Sequence, residues 1–264
     1  MNSTLLPFHQ QLGNAWKLFL HRWGVAAILQ ALMVIPGILM LPLVTEYLAA
    51  TSQGIDSAIV FEETIYGTQF LIGFILLLLL GVFTSAAMGI LFSSKEKLSF
   101  FAVITATSMR YIPVLYSSIL AGLAVAVSLI PALGLNYWYS LFARSGIEIS
   151  ASGIVAIDAI VLIAIVALLI PAAIVAVWVM YAPLVTAIKA APAGFTALMF
   201  AKNRVHGHLW QVLWRIIGSL VLFQIVSVSV SMLPYASYLV PFALMIITTA
   251  FFVELYKELN NGEL

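Results

Sequence analysis

Gln69-Phe70-Leu71-Ile72-Gly73-Phe74-Ile75-Leu76-Leu77-Leu78-Leu79-Leu80-Gly81-Val82-Phe83-Thr84-Ser85-Ala86-Ala87-Met88-Gly89-Ile90-Leu91-Phe92 carries no charged side chain. A helix of about 20 apolar residues crosses the roughly 30 Å hydrocarbon core of a bilayer. Basic residues, Lys95 and Lys97, follow at once. Working outward, stretches of the same kind lie at Trp23–Val44, Pro113–Leu135, Asp158–Pro183, Leu213–Leu233 and Tyr238–Leu255. The expected fold is therefore all-α, a single integral membrane domain over 1–264 with six transmembrane helices.

The charges between these stretches set their orientation. Lys17 and Arg22 precede span 1. Lys95, Lys97 and Arg110 lie between spans 2 and 3, and Lys189, Lys202, Arg204 and Arg215 between spans 4 and 5. Lys257 follows span 6, and Arg144 alone lies between spans 3 and 4. With six crossings, every basic residue except Arg144 falls on one side. Glu46, Asp56, Glu62 and Glu63 fall on the other. Short loops rich in Lys and Arg stay cytoplasmic, so both termini are expected there.

The composition agrees. The chain is 64% hydrophobic and 8% charged, with a mean hydropathy of +1.14. Soluble domains are about 25% charged, so this chain could not cover a water-facing surface. A net charge of +1 gives no reason to expect a nucleic-acid partner. The absence of Cys excludes disulfides, thiolate catalysis and Cys-ligated metals. Met1–Arg22 is mixed polar and apolar, unlike a cleavable signal peptide, so the first span is expected to stay as an anchor.

Span 4 lies in an apolar run from Gly153 to Ile188 that contains Pro171 and Pro183. One kinked helix leaving the membrane near Pro183 preserves the charge alternation. Two half-spans would break it.

The segments before spans 1, 3 and 5 resemble one another. Phe8, Leu12, Ala15, Trp16, Phe19 and Trp23 recur at helical spacing. Phe101–Ile112 and Gly194–Val205 are shorter versions. Each following span is expected to end at a Pro: Pro42, Pro131 and Pro234, at similar distances from Arg22, Arg110 and Arg215. Met40-Leu41-Pro42 and Met232-Leu233-Pro234 also match locally. This predicts a threefold parallel repeat, with units at 8–92, 101–183 and 194–257. Each unit would be an amphipathic interfacial helix on the cytoplasmic face followed by a transmembrane hairpin. Inverted repeats would instead have favoured alternating access.

Ala197, Leu198, Gly207 and Trp210 fall where a bacterial six-span family has matching residues before its fifth span. The chain thus resembles the membrane domain found beside glycerophosphodiester phosphodiesterases and the YciC-like inner-membrane proteins. Trp178 to Pro183 and Ala15-Trp16-Lys17-Leu18-Phe19 look similar too. Ala201 and Arg204 depart from the pattern, which has a Ser and an aliphatic residue there. The resemblance implies a bacterial inner (cytoplasmic) membrane location. It implies no activity, and no phosphodiesterase barrel fits in this length.

The candidate site is Lys202, Arg204, His206, His208, Trp210, Trp214 and Arg215. Basic residues interleaved with Trp suit the headgroup level of a membrane. The cluster reads either as an anionic-lipid headgroup site or as an ordinary anchor for span 5. His206 and His208 lack the further ligands a zinc site needs, so no metal and no cofactor is expected. Asp158 is a candidate for transport coupling. Its ordinary reading is an acid in the first turn of span 4, where it complements the helix dipole. Gln30, Gln224, Ser227, Ser229 and Ser231 read as interhelical hydrogen-bonding groups. Gly81, Ser85 and Gly89, and likewise Ser118, Gly122 and Ala126, form small-residue stripes that let helices pack closely.

No serine has a plausible base at span depth, and no pair of acids lies within the spans. The expectation is a non-catalytic inner-membrane protein that binds or organises lipid, anionic lipid in particular, or that scaffolds a membrane partner. The partner would be another membrane protein or a second copy of the chain. The alternative is a small-solute or lipid transporter.

Overall fold

The computed structural model describes residues 5–38, 45, 49, 68–144, 151–230 and 236–260. The helices are α1 (Phe8–Ala31), α2 (Thr68–Ser93), α3 (Phe100–Ser108), α4 (Tyr111–Arg144), α5 (Ala151–Val179), α6 (Ala182–Ala187), α7 (Phe195–His206), α8 (Leu209–Val230) and α9 (Ala236–Leu259). Among the described residues, six stretches are long and apolar enough to cross a membrane. They are Phe8–Ile38, Phe70–Ser93, Tyr111–Phe142, Ile157–Ala187, Leu209–Val230 and Val240–Leu259. Each contains most of one expected span.

The boundaries differ in instructive ways. Pro131 was expected to end span 3, but α4 runs through it to Arg144. Proline removes one backbone N–H and frees the carbonyl four residues before it. Leaving the helix in a medium without water would strand many more such groups, so continuing is the cheaper solution. Pro171 likewise sits inside α5. That helix is single, as expected, and stops at Val179, with Pro183 in the first turn of α6. The first amphipathic segment is not a separate helix, since α1 is unbroken through Arg22 and Trp23. The other two are separate. Ser99 caps α3 by accepting from the Ala102 N–H at 3.3 Å, the usual way an N-terminal donor is satisfied. Gly194 opens α7 at φ 86°, where side chains are strained, and its N–H donates to Ser117 Oγ at 2.9 Å. Pro42, Pro234, both matching Met-Leu-Pro strings and the acids Glu46, Asp56, Glu62 and Glu63 lie outside the described residues, as does the Arg144 side chain.

Packing is concentrated at one end of the bundle. Buried residues of α2 lie, apart from Gly73, in its second half, from Thr84 to Phe92, and those of α9 run from Ile246 to Leu259. They meet Ala15, Ala26 and Leu29 of α1, and Tyr181, Ala182, Ala197, Ala201 and Val205 around α6 and α7. Elsewhere the helices turn apolar side chains outward. Leu78, Val127 and Ile163 are 52%, 63% and 69% exposed. A large contiguous apolar surface of this kind suits lipid rather than water.

The first small-residue stripe packs inward at Gly89, while Ser85 is exposed. A Cβ on Gly89 would lie 2.7 Å from Leu184 Cδ1, so α2 and α6 cross closely there. The second stripe does not: Gly122 has nothing within 4 Å of a Cβ position, and Ala126 is exposed.

Candidate functional site

The packed end is held by basic side chains that reach protein carbonyls. Arg22 of α1 is 8% exposed, and its Nη2 donates to the Ser94 carbonyl at 2.5 Å, just past α2. Lys257 Nζ of α9 donates to the Phe92 carbonyl at 3.0 Å and pairs with Glu254 Oε1 at 2.9 Å. Both cations thus meet carbonyls at the C-terminus of α2, which has no intrahelical donors for its last turn and carries partial negative charge. Arg110, just before α4, donates through Nη1 to the Ala187 carbonyl that ends α6.

Arg215 behaves the same way. Its Nη2 donates to the Leu6 carbonyl at 2.5 Å, and its Nη1 lies 3.6 Å from Glu258 Oε2. Glu258 Oε2 also accepts from Gln11 Nε2 at 2.5 Å and from the Leu6 N–H at 3.2 Å. One carboxylate near the end of α9 therefore joins α8, α1 and the residues before α1. The sequence reading placed Arg215 among headgroup residues. It is instead turned into the protein, because Glu258 and an uncapped carbonyl offer it partners that lie far away in sequence.

Arg22, Arg110 and Arg215 were the residues from which the repeat was counted. Each precedes or opens an odd-numbered crossing. Each reaches the end of the even-numbered crossing that follows it: Ser94 after α2, Ala187 of α6, and Glu258 of α9.

The rest of the sequence-predicted cluster is exposed or half-buried. Lys202 Nζ lies 4.9 Å from the centroid of the Trp178 ring, and the His206 ring is 6.0 Å from the same ring. Arg204 lies 5.2 Å from the Phe200 centroid. The Lys202 and Arg204 separations are cation–π distances. His208 is half-buried, and Trp210 and Trp214 of α8 are 61% and 67% exposed. In the sequence Trp178 carries only the family resemblance. It proves to be where Lys202 and His206 converge, and its Nε1 is buried without an acceptor among the described residues.

Asp158 sits apart from this end. It lies beyond the first turn of α5, whose first turn holds no acid, so the helix dipole does not account for it. Its Oδ1 instead accepts from the Tyr139 hydroxyl of α4. Gln30 is buried and donates to Met245 Sδ at 3.5 Å, linking α1 to α9. Among the described residues no three His, Asp or Glu side chains gather as a metal site would require.

Two cavities open at or near the packed end. The larger, about 570 Å³, runs between α2, α6 and α9 and is lined by Gly81, Ser85, Leu184 and Phe252 among others. The smaller, about 260 Å³, lies between α1 and the segment after α2.

These features define a class: a multi-pass, all-helical membrane protein braced at one end by basic residues. Compared with known proteins, the chain matches no family model, no curated protein and no solved structure.

Proposed function

We propose that this protein is a non-catalytic membrane protein that binds and organises lipid at its braced end. One observation carries the reading. Lys202 and Arg204 are half-buried against the Trp178 and Phe200 rings, with no carbonyl or carboxylate partner for either among the described residues, and His206, Trp210 and Trp214 on the same two helices are exposed, whereas Arg22, Arg110 and Arg215 are engaged by the protein. The surface group has the chemistry of a headgroup contact: cations for lipid phosphate and indole rings for the interfacial zone.

In this reading the braced end faces the cytoplasm of a bacterial inner membrane. The first half of α1, together with α3 and α7, forms the interfacial layer. Phe195 and Met199 of α7 are turned outward, as side chains entering the acyl boundary would be. The threefold parallel repeat belongs to the same proposal, supported by the corresponding placement of its three arginines. So does the resemblance to the YciC-like and phosphodiesterase-associated membrane family, which would carry no catalytic step. A membrane partner or a second copy would use the outward part of the second small-residue stripe.

The test is Lys202→Gln with Arg204→Gln, reconstituted in bilayers containing phosphatidylglycerol. Each surface basic residue contributes about 1 kcal/mol to anionic-lipid attraction, so losing two should weaken binding roughly thirtyfold. Arg215 is left intact because it braces Glu258. Unchanged binding would remove the headgroup site.

The second reading, a lipid or small-solute transporter, draws on the larger cavity. Its lining by Leu77, Leu78, Leu184 and Phe252 suits an acyl chain better than a polar solute.

A further inference from the structure

The smaller cavity has features that the function proposed above does not use. Its walls include His21, Arg22, Trp23 and Lys97, with Leu91 and Leu98 behind them. The lining residues include cations and no acid. Arg22 is more than nine-tenths buried. Its Nη2 is committed to the Ser94 carbonyl, but Nε and Nη1 have no acceptor among the described residues. A buried guanidinium with two unmet donors is costly. The nearby Glu254 is held by Lys257 at 2.9 Å.

We propose that this pocket binds a phosphate group. A guanidinium presents its N–H groups as a planar fork that matches phosphate oxygens, and Lys97 and His21 add donors from the exposed rim. Trp23, 59% exposed, places the site at the level where indoles meet headgroups. The cavity's size admits a phosphate with its glycerol. The chemistry is shared by a phospholipid headgroup and by free phosphate. The lipid form deepens the lipid-binding reading and rests on it. The pocket is separate from the Lys202–Arg204 surface: it lies between α1 and the end of α2, whereas that surface belongs to α7.

The experiment is native mass spectrometry of the full chain in neutral detergent. It is titrated in separate arms with dioleoyl phosphatidylglycerol, inorganic phosphate and dioleoylglycerol. The variants are His21→Gln/Lys97→Gln, whose side chains are exposed and so leave the fold intact, and Arg22→Lys, which keeps the charge but loses the fork. Phosphatidylglycerol binding at least about fivefold weaker in the double variant, with dioleoylglycerol unaffected, supports a lipid phosphate as occupant. A matching loss in the inorganic phosphate arm alone supports a free anion. Equal binding of both phosphate probes by wild type and by all variants overturns the site. The Lys202→Gln/Arg204→Gln protein is run alongside. If it alone loses lipid, the general reading stands and this pocket falls; if only the His21/Lys97 variant loses lipid, this pocket stands and the Lys202–Arg204 surface falls.

Discussion

Replacing Arg215 by Gln should destabilise the protein rather than only weaken lipid binding. The two charged side chains of the Arg215–Glu258 pair are 14% and 13% exposed. Removing one member of a buried pair costs about 3–5 kcal/mol, chiefly because the other charge is left without its partner. Here the separation of 3.6 Å is long for a charge-assisted contact. Gln11 and the Leu6 N–H still serve Glu258. Both points lower the expected cost to about 2 kcal/mol. At 2–4 °C per kcal/mol for a chain of this size, melting in mild detergent should fall by about 4–8 °C. Arg215→Gln with Glu258→Gln should lose less than the sum of the single losses, by about 1 kcal/mol, because neither charge is then stranded. A single variant melting within about 1 °C of wild type would place the pair among surface ion pairs of negligible worth. If that variant also lost anionic lipid, Arg215 would return to the headgroup cluster.

The close crossing of α2 and α6 predicts that Gly89→Val lowers the melting temperature in detergent. Leu184 must give way, at about 1–3 kcal/mol for overpacking. Gly122→Ala, with open space around it, should melt like wild type; equal effects from the two would refute the assigned crossing. Asp158→Asn keeps an acceptor for the Tyr139 hydroxyl, so stability, and transport if a substrate is found, should be unchanged. Lost transport in a stably folded Asp158→Asn protein would restore Asp158 as a coupling residue.

Much of the fold was legible in the chain because the bilayer demands it. A segment such as Gln69–Phe92 has few options: in lipid its backbone must bond to itself, and a helix does so locally. Span count and the single passage through Pro171 follow from that local requirement. Pro131 was misread for the same reason. The cost of breaking a helix in lipid outweighs the hydrogen bond that proline removes, and α4 continues. The buried stripe of α1 was only partly visible. Ala15 and Gln30, the latter expected as an interhelical hydrogen-bonding group, belong to it, but so do Gln11 and Arg22, polar residues that pattern reading assigns to the outside. Gln11, Arg22 and Gln30 are buried because their partners, Glu258, the Ser94 carbonyl just past α2 and Met245, lie far along the chain.

The candidate site divides along the same line. The exposure of Trp210 and Trp214 could be read from their place among basic residues beside a span, because a surface side chain keeps the chemistry it has in isolation. Arg215 looked identical to its neighbours, and nothing local marks it as different. The sequence by itself determined the helical class and the clustering of charge beside particular spans, since hydrophobic length acts segment by segment. Only the tertiary structure decided which of those charges face outward. That choice depends on where helix ends come to rest, and on which unbonded carbonyls and carboxylates they bring within reach of an arginine.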